Sequence, residues 1–297
     1  GAGPVTVITQ QATGGWKIVT PNNLSFASAS TADARLLVLG TKLYVIWTEL
    51  NAYDLDKIRQ IWAAVYNGDD NNPDWTLVDP GPTGFNRDVT GDTRLSDGIV
   101  FQDTLLAVFL QFGPKNSASA GQSTIAVSRY NGDDANPAWV AIERDFPAAS
   151  GNPQFFLGAD GVLKVFYTTG TTIADSALHE ATFNGDLINP GWTHSVVTLS
   201  DGISPKNFRL AEVKATPHLV WRAPNASAVG GRLFISQWAD GKWQRIDGTT
   251  EGLNGFPNAS WNIIDVIGFQ DDLVVTYQQF DGSQTDMLVI AATPTNI

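Results

Sequence analysis

The sequence predicts an all-β fold, a five-bladed β-propeller of four-stranded antiparallel blades that forms one domain over residues 1–297. Three observations support this prediction. A tryptophan recurs at intervals of about 50 to 65 residues, a period that suits one propeller blade. Runs of β-branched and aromatic residues precede these tryptophans, and no long stretch has the periodicity of an amphipathic helix. The recurring residues are Trp16, Trp75, Trp139, Trp192 and Trp243.

The repeats also predict the order of strands and the closure of the ring. Each repeat is expected to contain an innermost strand, a second strand, a third strand, a tight turn and an outer strand led by tryptophan. The last repeat lacks its tryptophan strand, and residues 15–20 supply one, so pairing of the two chain ends would leave no open sheet edge. Residues 5–11 are predicted either to add an edge strand or to displace residues 286–292. The predicted blades are residues 24–79, 86–143, 152–199, 206–247, and 260–297 with 5–20.

An aromatic residue lies near the end of each second strand. Buried aromatic side chains supply much of the apolar area of a fold, so this column is expected to pack between blades. Its members are Trp47, Phe109, Phe166, Trp221 and Tyr277.

Composition limits the classes of partner. The net charge is −12, and Lys and Arg are not clustered, which disfavours nucleic acids and anionic membrane surfaces. No apolar run reaches the roughly 18 residues of a membrane span, so membrane insertion is not expected. The chain has no cysteine, which excludes disulfides and thiolate metal sites and fits a secreted or cell-surface protein. The oligomeric state stays open.

The long loops are the predicted place for a ligand. Antiparallel connectivity puts the loops between repeats, and those between second and third strands, on one face of the ring. Asn, Asp, Gly and Ser surround single aromatic residues there, a mixture that suits the apolar faces and hydroxyl groups of a sugar. The alternative is that these aromatics only anchor the loops to the core. The predicted residues are Tyr53, Phe85, Asn86, Arg87, Phe146, Asn152, Asn207, Phe256 and Asn258.

One column of the innermost strands carries charged and polar residues: Arg35, Asp97, Gln154, Arg209 and Asp265. These side chains are expected to surround a central channel, either as a structural ring around water or as a polar pocket at the channel mouth, where Arg35 and Arg209 would bind ligand. If the protein were an enzyme, Asp97, Asp265 and Glu212 would form the catalytic set. Glu212 is expected to point to the opposite face, which disfavours this set.

The Asn-Gly-Asp turns offer the only metal candidates. Asn-Gly favours a tight type I′ turn, and Asp and Asn side chains cap turns through their own oxygens. A calcium site at Asp69, Asp70, Asp133 and Asp134 is the less favoured alternative, because the spacing matches neither an EF-hand loop nor a similar cage. No other cofactor is expected.

These features carry a resemblance at the level of architecture. The five repeats, their aromatic second strands and the Gly-x-Trp or Pro-x-Trp outer strands resemble propeller lectins of the tachylectin-2 type and, more loosely, larger bacterial and fungal propeller lectins. The resemblance implies a lectin-like protein that binds a glycan or another small polar ligand. Two alternatives remain. The blade count also resembles that of arabinanase-like glycoside hydrolases, which would use channel carboxylates, and a non-catalytic scaffold of an extracellular assembly fits the fold equally well.

Overall fold

Antiparallel hairpins account for nearly all of the described chain. The structure is a computed structural model. It describes residues 7–10, 16–19, 31–50, 58–79, 84–85, 90–114, 122–142, 146, 151, 153–170, 176–199, 205, 207–224, 231–247, 260–280 and 285–292. None of these residues is helical, so the described chain has no helix that could cross a membrane.

The strands group into five blades that follow one another along the chain. Blade 1 contains β3 (Thr31–Leu39), β4 (Lys42–Leu50), β5 (Arg59–Tyr66) and β6 (Trp75–Leu77). Blade 2 contains β7 (Gly91–Phe101), β8 (Thr104–Pro114), β9 (Ser123–Tyr130) and β10 (Trp139–Ala141). Blade 3 contains β11 (Gln154–Leu157), β12 (Leu163–Thr169), β13 (Ala177–Phe183) and β14 (Trp192–Val197). Blade 4 contains β15 (Asn207–Val213), β16 (Thr216–Pro224), β17 (Gly231–Ala239) and β18 (Lys242–Arg245). Blade 5 contains β19 (Ser260–Phe269), β20 (Asp272–Phe280) and β21 (Thr285–Ala292).

The fold class is the predicted one, an all-β, five-bladed β-propeller with antiparallel blades. The chain separates into two compact units, Gly1–Ala149 and Ser150–Ile297. We call them the N-terminal and C-terminal units and describe each by itself. The prediction of a single domain over the whole chain stays a prediction.

The amino-terminal strands form a hairpin. Here β1 (Ile8–Gln10) pairs with β2 (Trp16–Ile18), and the Val19 amide extends the pairing by donating to the Val7 carbonyl at 2.9 Å. In blade 5 the third position belongs to β21, which pairs with β20. The predicted displacement of residues 286–292 by residues 5–11 is therefore wrong, because β21 keeps its place. The closing of the ring by residues 15–20 stays a prediction.

Inner and second strands are joined by very short turns in four of the blades. Leu39 pairs with Lys42 and Val213 pairs with Thr216, so only two residues separate the strands. The turn residues Lys214 and Ala215 have φ of 51° and 59°, the left-handed conformation of a type I′ turn. Blade 3 differs, because Leu157 pairs with Leu163 across a five-residue connection.

The turns before the outer strands are less uniform than the sequence predicts. In blade 1 Tyr66 pairs with Trp75, so Asn-Gly begins an eight-residue loop rather than a tight type I′ turn. Blades 2 and 3 have the same eight-residue loop. Only blade 4 has the two-residue turn, at Asp240 and Gly241, with φ of 53° and 74°.

The core consists of apolar clusters between neighbouring sheets. In the N-terminal unit one cluster joins blades 1 and 2 through Ile46, Ile61, Leu95 and Phe109. In the C-terminal unit one cluster joins blades 3 and 4 and another joins blades 4 and 5. All five members of the predicted aromatic column are buried, which confirms their packing role: Trp47, Phe109, Phe166, Trp221 and Tyr277.

The strand register corrects the blade 3 member of that column. Trp47 and Trp221 are each the sixth residue of their strand. In blade 3 a bond from the Gly158 amide to the Val162 carbonyl, 3.1 Å long, extends the ladder by one position. When Val162 is counted as the first residue of this strand, the sixth is Tyr167. Tyr167, and not Phe166, is therefore equivalent to Trp47 and Trp221. The longer blade 3 connection caused this one-residue error, and one residue reverses the face to which a strand side chain points.

Candidate functional site

A cleft opens between blades 3 and 4 in the C-terminal unit. Its volume is about 310 Å³, at the lower end of the roughly 300–1,000 Å³ found for small-molecule sites. Successive antiparallel strands put the inner-to-second turns and the third-to-outer turns at one end of each blade, which we call the turn end. The cleft lies there and is lined by Phe156, Gly158, Ala159, Asp160, Val162, Lys164, Phe166, Glu180, Ala215, Pro217, Trp238 and Trp243.

Aromatic side chains form much of the cleft wall. Trp238 is the last but one residue of β17 and remains 38% exposed, an unusual exposure for so large an apolar side chain. Trp243 lies opposite it on β18 and is buried, with the two ring centres 5.5 Å apart in an edge-on arrangement. Phe166 of blade 3 meets Trp243 edge-on at 6.1 Å. The Trp238 indole therefore rests on a rigid aromatic base while part of its surface faces solvent.

An ion pair stands beside the exposed indole. Lys164 Nζ and Glu180 Oε2 are 3.2 Å apart, and Ser195 Oγ donates to Glu180 Oε1 at 3.3 Å. The three residues lie on neighbouring strands of blade 3, with Glu180 directly opposite Ser195. Lys164 Nζ is also 6.0 Å from the centre of the Trp238 ring, within the range of a cation–π contact.

The longer connection of blade 3 adds a second carboxylate to the cleft. Asp160 Oδ1 accepts a hydrogen bond from the Val162 amide at 3.0 Å, and the Gly161 amide donates to the Gly158 carbonyl at 2.8 Å. Gly161 has φ of +75°, which favours glycine. Asp160 Oδ1 therefore stabilises the loop through a hydrogen bond, and the loop in turn fixes the position of the carboxylate in the cleft.

The eight-residue loops of blades 1, 2 and 3 show what the Asn-Gly-Asp residues do. Asn67 Oδ1 accepts from the Asp69 amide at 3.0 Å, and Asp69 Oδ1 accepts from the Asn71 amide at 2.8 Å. Backbone hydrogen bonds are also the main reason that the pKa of Asp69 and Asp133 lies below its usual value. These carboxylates cap their own loops, and within the described residues no cluster of three or more His, Asp or Glu side chains could hold a metal ion.

Asp70 and Asp134, the other two calcium candidates, accept from tyrosines. Tyr66 Oη donates to Asp70 Oδ1 at 2.8 Å. Tyr130 and Tyr44 donate to Asp134 Oδ1 at 2.8 and 3.0 Å, and Lys42 pairs with its other oxygen. Burial raises the pKa of Asp134, but the hydrogen bonds from Lys42, Tyr130 and Tyr44 outweigh it, so the net pKa is lowered.

The predicted inner-strand column is in register: once Tyr167 replaces Phe166 in the aromatic column, each member pairs with the residue before the aromatic one. In the N-terminal unit Arg35 Nε and Asp97 Oδ1 are 3.1 Å apart, so these two charges pair. In the C-terminal unit Gln154 is buried, Asp265 is exposed and its Oδ1 accepts from the Val266 amide, and Arg209 Nη1 donates to the Phe208 carbonyl. Glu212 is partly buried on β15. A catalytic set of Asp97, Asp265 and Glu212 would draw on both units and stays a prediction.

Few of the predicted loop residues are described. Phe85 is buried, and its ring stacks on Trp139 with centres 3.9 Å apart and planes 7° apart. Phe85 therefore anchors its loop to the core, which is the alternative to ligand binding that the sequence leaves open for the loop aromatics. Phe146 and Asn207 are partly buried. Six residues lie outside the described residues: Tyr53, Asn86, Arg87, Asn152, Phe256 and Asn258.

The cleft residues were not predicted from the sequence. In the sequence, Trp238 is only the first residue of a short form of the repeated turn motif, residues 238–243. The one indication that Trp238 could be exposed is the length of this turn. A turn of two residues cannot extend as far over a neighbouring blade as a loop of eight residues can. Lys164, Glu180 and Asp160 carried no such signal, since single charges on strands and in turns are common.

The comparisons with known proteins show the fold. No family model matches the sequence, and no curated protein does. Among solved structures, the sialidase of Trypanosoma rangeli is similar over 94% of this chain, with a TM-score of 0.60 and 12% identity. This chain spans only 48% of that sialidase. An inulosucrase from Halalkalicoccus jeotgali bound to kestose is similar over 99% of this chain and 93% of its own, with a TM-score of 0.53 and 11% identity.

A protein of unknown function from Dyadobacter fermentans is also similar, over 91% of this chain and 80% of its own, with a TM-score of 0.56 and 10% identity. At such identities the likeness extends to the fold alone. It supports the propeller architecture, and it does not single out lectins of the tachylectin-2 type.

Proposed function

We propose that this protein is a lectin-like propeller that binds a carbohydrate in the cleft between blades 3 and 4. The observation that carries the proposal is the half-exposed Trp238 indole beside the Lys164–Glu180 ion pair. An exposed indole offers a flat apolar surface to the C–H face of a sugar ring, and adjacent ammonium and carboxylate groups can bond its hydroxyls.

Two further facts support a carbohydrate. The cleft contains both kinds of hydrogen-bonding partner that a hydroxyl needs, because Lys164 only donates and Asp160 and Glu180 accept. Propellers of similar fold include a sialidase and an inulosucrase bound to kestose, so this fold supports glycan-acting proteins elsewhere. An extracellular location, which we also propose, would bring the cleft into contact with glycans.

The proposed site is not the one expected from the sequence. It lies at the turn end of the blades, whereas the long loops belong to the opposite end. The ligand sites predicted on the long loops remain a separate hypothesis.

A glycoside hydrolase is the second candidate, and one observation favours it. Asp160 and Glu180 line the same cleft, and most glycosidases use a pair of carboxyl groups, one as acid and one as base or nucleophile. In this protein both Glu180 oxygens already have partners, Lys164 and Ser195, which favours a role in binding over one in catalysis.

A glycan array probed with the purified protein tests the proposal. We expect at least one glycan to bind. Trp238→Ala should weaken the affinity for that glycan about tenfold or more, because the bound glycan would bury the exposed part of the indole and large aromatic side chains often contribute this much to binding. Ile188→Ala removes another exposed apolar side chain, 85% exposed and outside the cleft, and should have no effect. An array without any binder, or equal affinity of Trp238→Ala and wild type, would contradict the proposal.

Product analysis of the bound glycan separates the two candidates. A lectin leaves it intact. A hydrolase releases a shorter product, and Glu180→Gln or Asp160→Asn would then abolish turnover while some binding persists.

A further inference from the structure

A second cavity adjoins the cleft on the outer side of blade 3. Its volume is about 240 Å³, and it is lined by Glu180, Ser195, Val196, Val197, Thr198, Trp238, Gly241, Lys242 and Trp243. Three residues belong to both cavities: Glu180, Trp238 and Trp243. The two cavities therefore meet at Trp238 and extend from it in different directions.

The two cavities differ in chemistry. Apart from the shared residues, the first has an apolar wall that includes Phe156, Phe166 and Pro217. The second contributes Ser195, Thr198 and the ammonium group of Lys242, and none of its unshared residues is aromatic. A ligand that occupies both would meet a mostly apolar surface at one end and a hydroxyl-rich surface at the other.

Glu180 connects the two cavities through its two oxygen atoms. Oε2 pairs with Lys164, which lines only the first cavity, at 3.2 Å. Oε1 accepts from Ser195, which lines only the second cavity, at 3.3 Å. One carboxylate is thus held at the junction, with one oxygen on each side.

Size gives an independent reason to consider the cavities together. The second cavity alone is smaller than the roughly 300–1,000 Å³ of ordinary ligand sites, and the first is at the lower limit. The volume of each cavity suits one sugar ring, and the two cavities together suit two linked sugar rings.

We infer that the cleft binds an oligosaccharide of at least two units, with one unit in each cavity and the linkage lying over Trp238. This inference rests on the proposed carbohydrate function and adds the length of the ligand and the position of its units. In this arrangement Glu180 accepts hydrogen bonds from hydroxyl groups of both units. Lys164 donates to the unit in the first cavity, and Lys242 donates to the unit in the second.

Calorimetric titration with glycan ladders tests the inference. The probes are malto-, cello-, manno- and fructo-oligosaccharides of one to four units. For the ladder that binds, we expect affinity to rise about tenfold or more from one unit to two, because the second unit adds contacts in the second cavity. From two units to three the gain in affinity should be less than about threefold, since the two cavities hold one unit each.

Two matched variants locate the units. Thr198→Trp fills the second cavity and Ala159→Trp fills the first, and both positions are exposed. In each variant a ligand of two units should bind no more tightly than a ligand of one unit. Ile188→Trp adds the same side chain outside both cavities and should keep the gain, while thermal unfolding curves check that all three variants fold.

The outcomes separate this inference from the proposed function. Equal affinity of the wild type for one and two units, or a gain that survives both filling variants, overturns the two-unit inference while leaving Trp238-dependent carbohydrate binding in place. If only glycans outside these ladders bind on the array, a one- and two-unit pair of such a glycan replaces the ladder and the same comparison decides. Absence of any glycan binding overturns both.

Discussion

The turn end of the blade 1–blade 2 interface is covered, whereas that of the blade 3–blade 4 interface is open. In the first, the eight-residue loop of blade 2 carries Asp134, which accepts hydrogen bonds from Tyr44 of blade 1 and from Tyr130. In the second, the corresponding turn of blade 4 consists of Asp240 and Gly241 only. We infer from this difference that the length of one turn decides whether two packed blades form a covered interface or a cleft.

The tryptophans that lead the outer strands show the same contrast. Trp139 of blade 2 stacks on Phe85 and donates from Nε1 to the Val78 carbonyl at 2.8 Å. Trp139 is partly buried, whereas Trp243 of blade 4 is fully buried, yet the Trp243 Nε1 has no hydrogen-bond partner among the described residues. The covered interface holds its indole with a stacked ring and a hydrogen bond, and the open one holds it by packing alone.

The largest effect is expected from Phe85→Ala. Phe85 is buried, stacks on Trp139 and meets Phe109 edge-on at 6.3 Å, so its loss should lower the free energy of unfolding by about 3–5 kcal/mol. Trp238→Ala removes a larger side chain from the open interface but should cost only about 1 kcal/mol, because much of that side chain is already exposed. Urea denaturation of both variants measures the difference, and equal losses would show that the two interfaces are packed alike.

A smaller effect is expected from alkaline pH at the covered interface. Burial, and then the hydrogen bond to Asp134 and its charge, raise the pKa of Tyr44 from 10.0 to about 12, and the pKa of Tyr130 is raised for the same reasons. Because the folded state keeps Tyr44 protonated, the stability that it contributes is complete below pH 10 and is lost as the pH rises from 10 to about 12. For Tyr130 the loss continues to higher pH, since its pKa is raised further. Unfolding free energy measured across this range should fall by about 1–3 kcal/mol.

The matched variant is Asp134→Asn, which removes the charge next to both tyrosines. The pKa of Tyr44 should move back toward its ordinary value, so tyrosinate absorbance should appear at lower pH than in the wild type. An unchanged titration would mean that burial alone, and not the blade 2 loop, controls Tyr44.

The smallest effect on stability is expected from exchanging the turns. Replacing Asp240 and Gly241 by the sequence of residues 131–138 lengthens the blade 4 turn, which should cost about 1 kcal/mol in loop closure. The longer loop should cover the cleft, reduce acrylamide quenching of tryptophan fluorescence and weaken glycan affinity about tenfold. An eight-residue Gly-Ser insert is the control for length alone, and unchanged quenching with both inserts would show that turn length does not open the cleft.

Local patterns predicted most of the fold. The residue pattern predicts the second strands of blades 1 and 5 at residues 43–49 and 273–279. In the structure they lie at Lys42–Leu50 and Asp272–Phe280. Alternation and aromatic content specify such strands without knowledge of their neighbours. The error at Phe166 arose where blade 3 has a longer connection, because the sequence does not show how many residues a turn leaves unpaired.

The candidate site was much less predictable. Phe85 was expected to bind a ligand, yet its ring stacks on Trp139, more than fifty residues away along the chain. Trp238 belongs to a repeat in which the corresponding residues, Tyr66 and Tyr130, are buried. Nothing in the residue type distinguishes the exposed member from the buried ones, since exposure depends on what covers it.

The amino-acid sequence is enough to predict the β class, the number of blades and the strand order. These are local properties, fixed by side-chain alternation, by β-branched and aromatic content and by the lengths of the turn motifs. Which charged side chains meet, and which face some strands present, depends on the packing of the blades. Lys164, Glu180 and Trp238 become one site because blades 3 and 4 pack against each other, and contacts between residues so distant in sequence depend on register and packing, which no local pattern records.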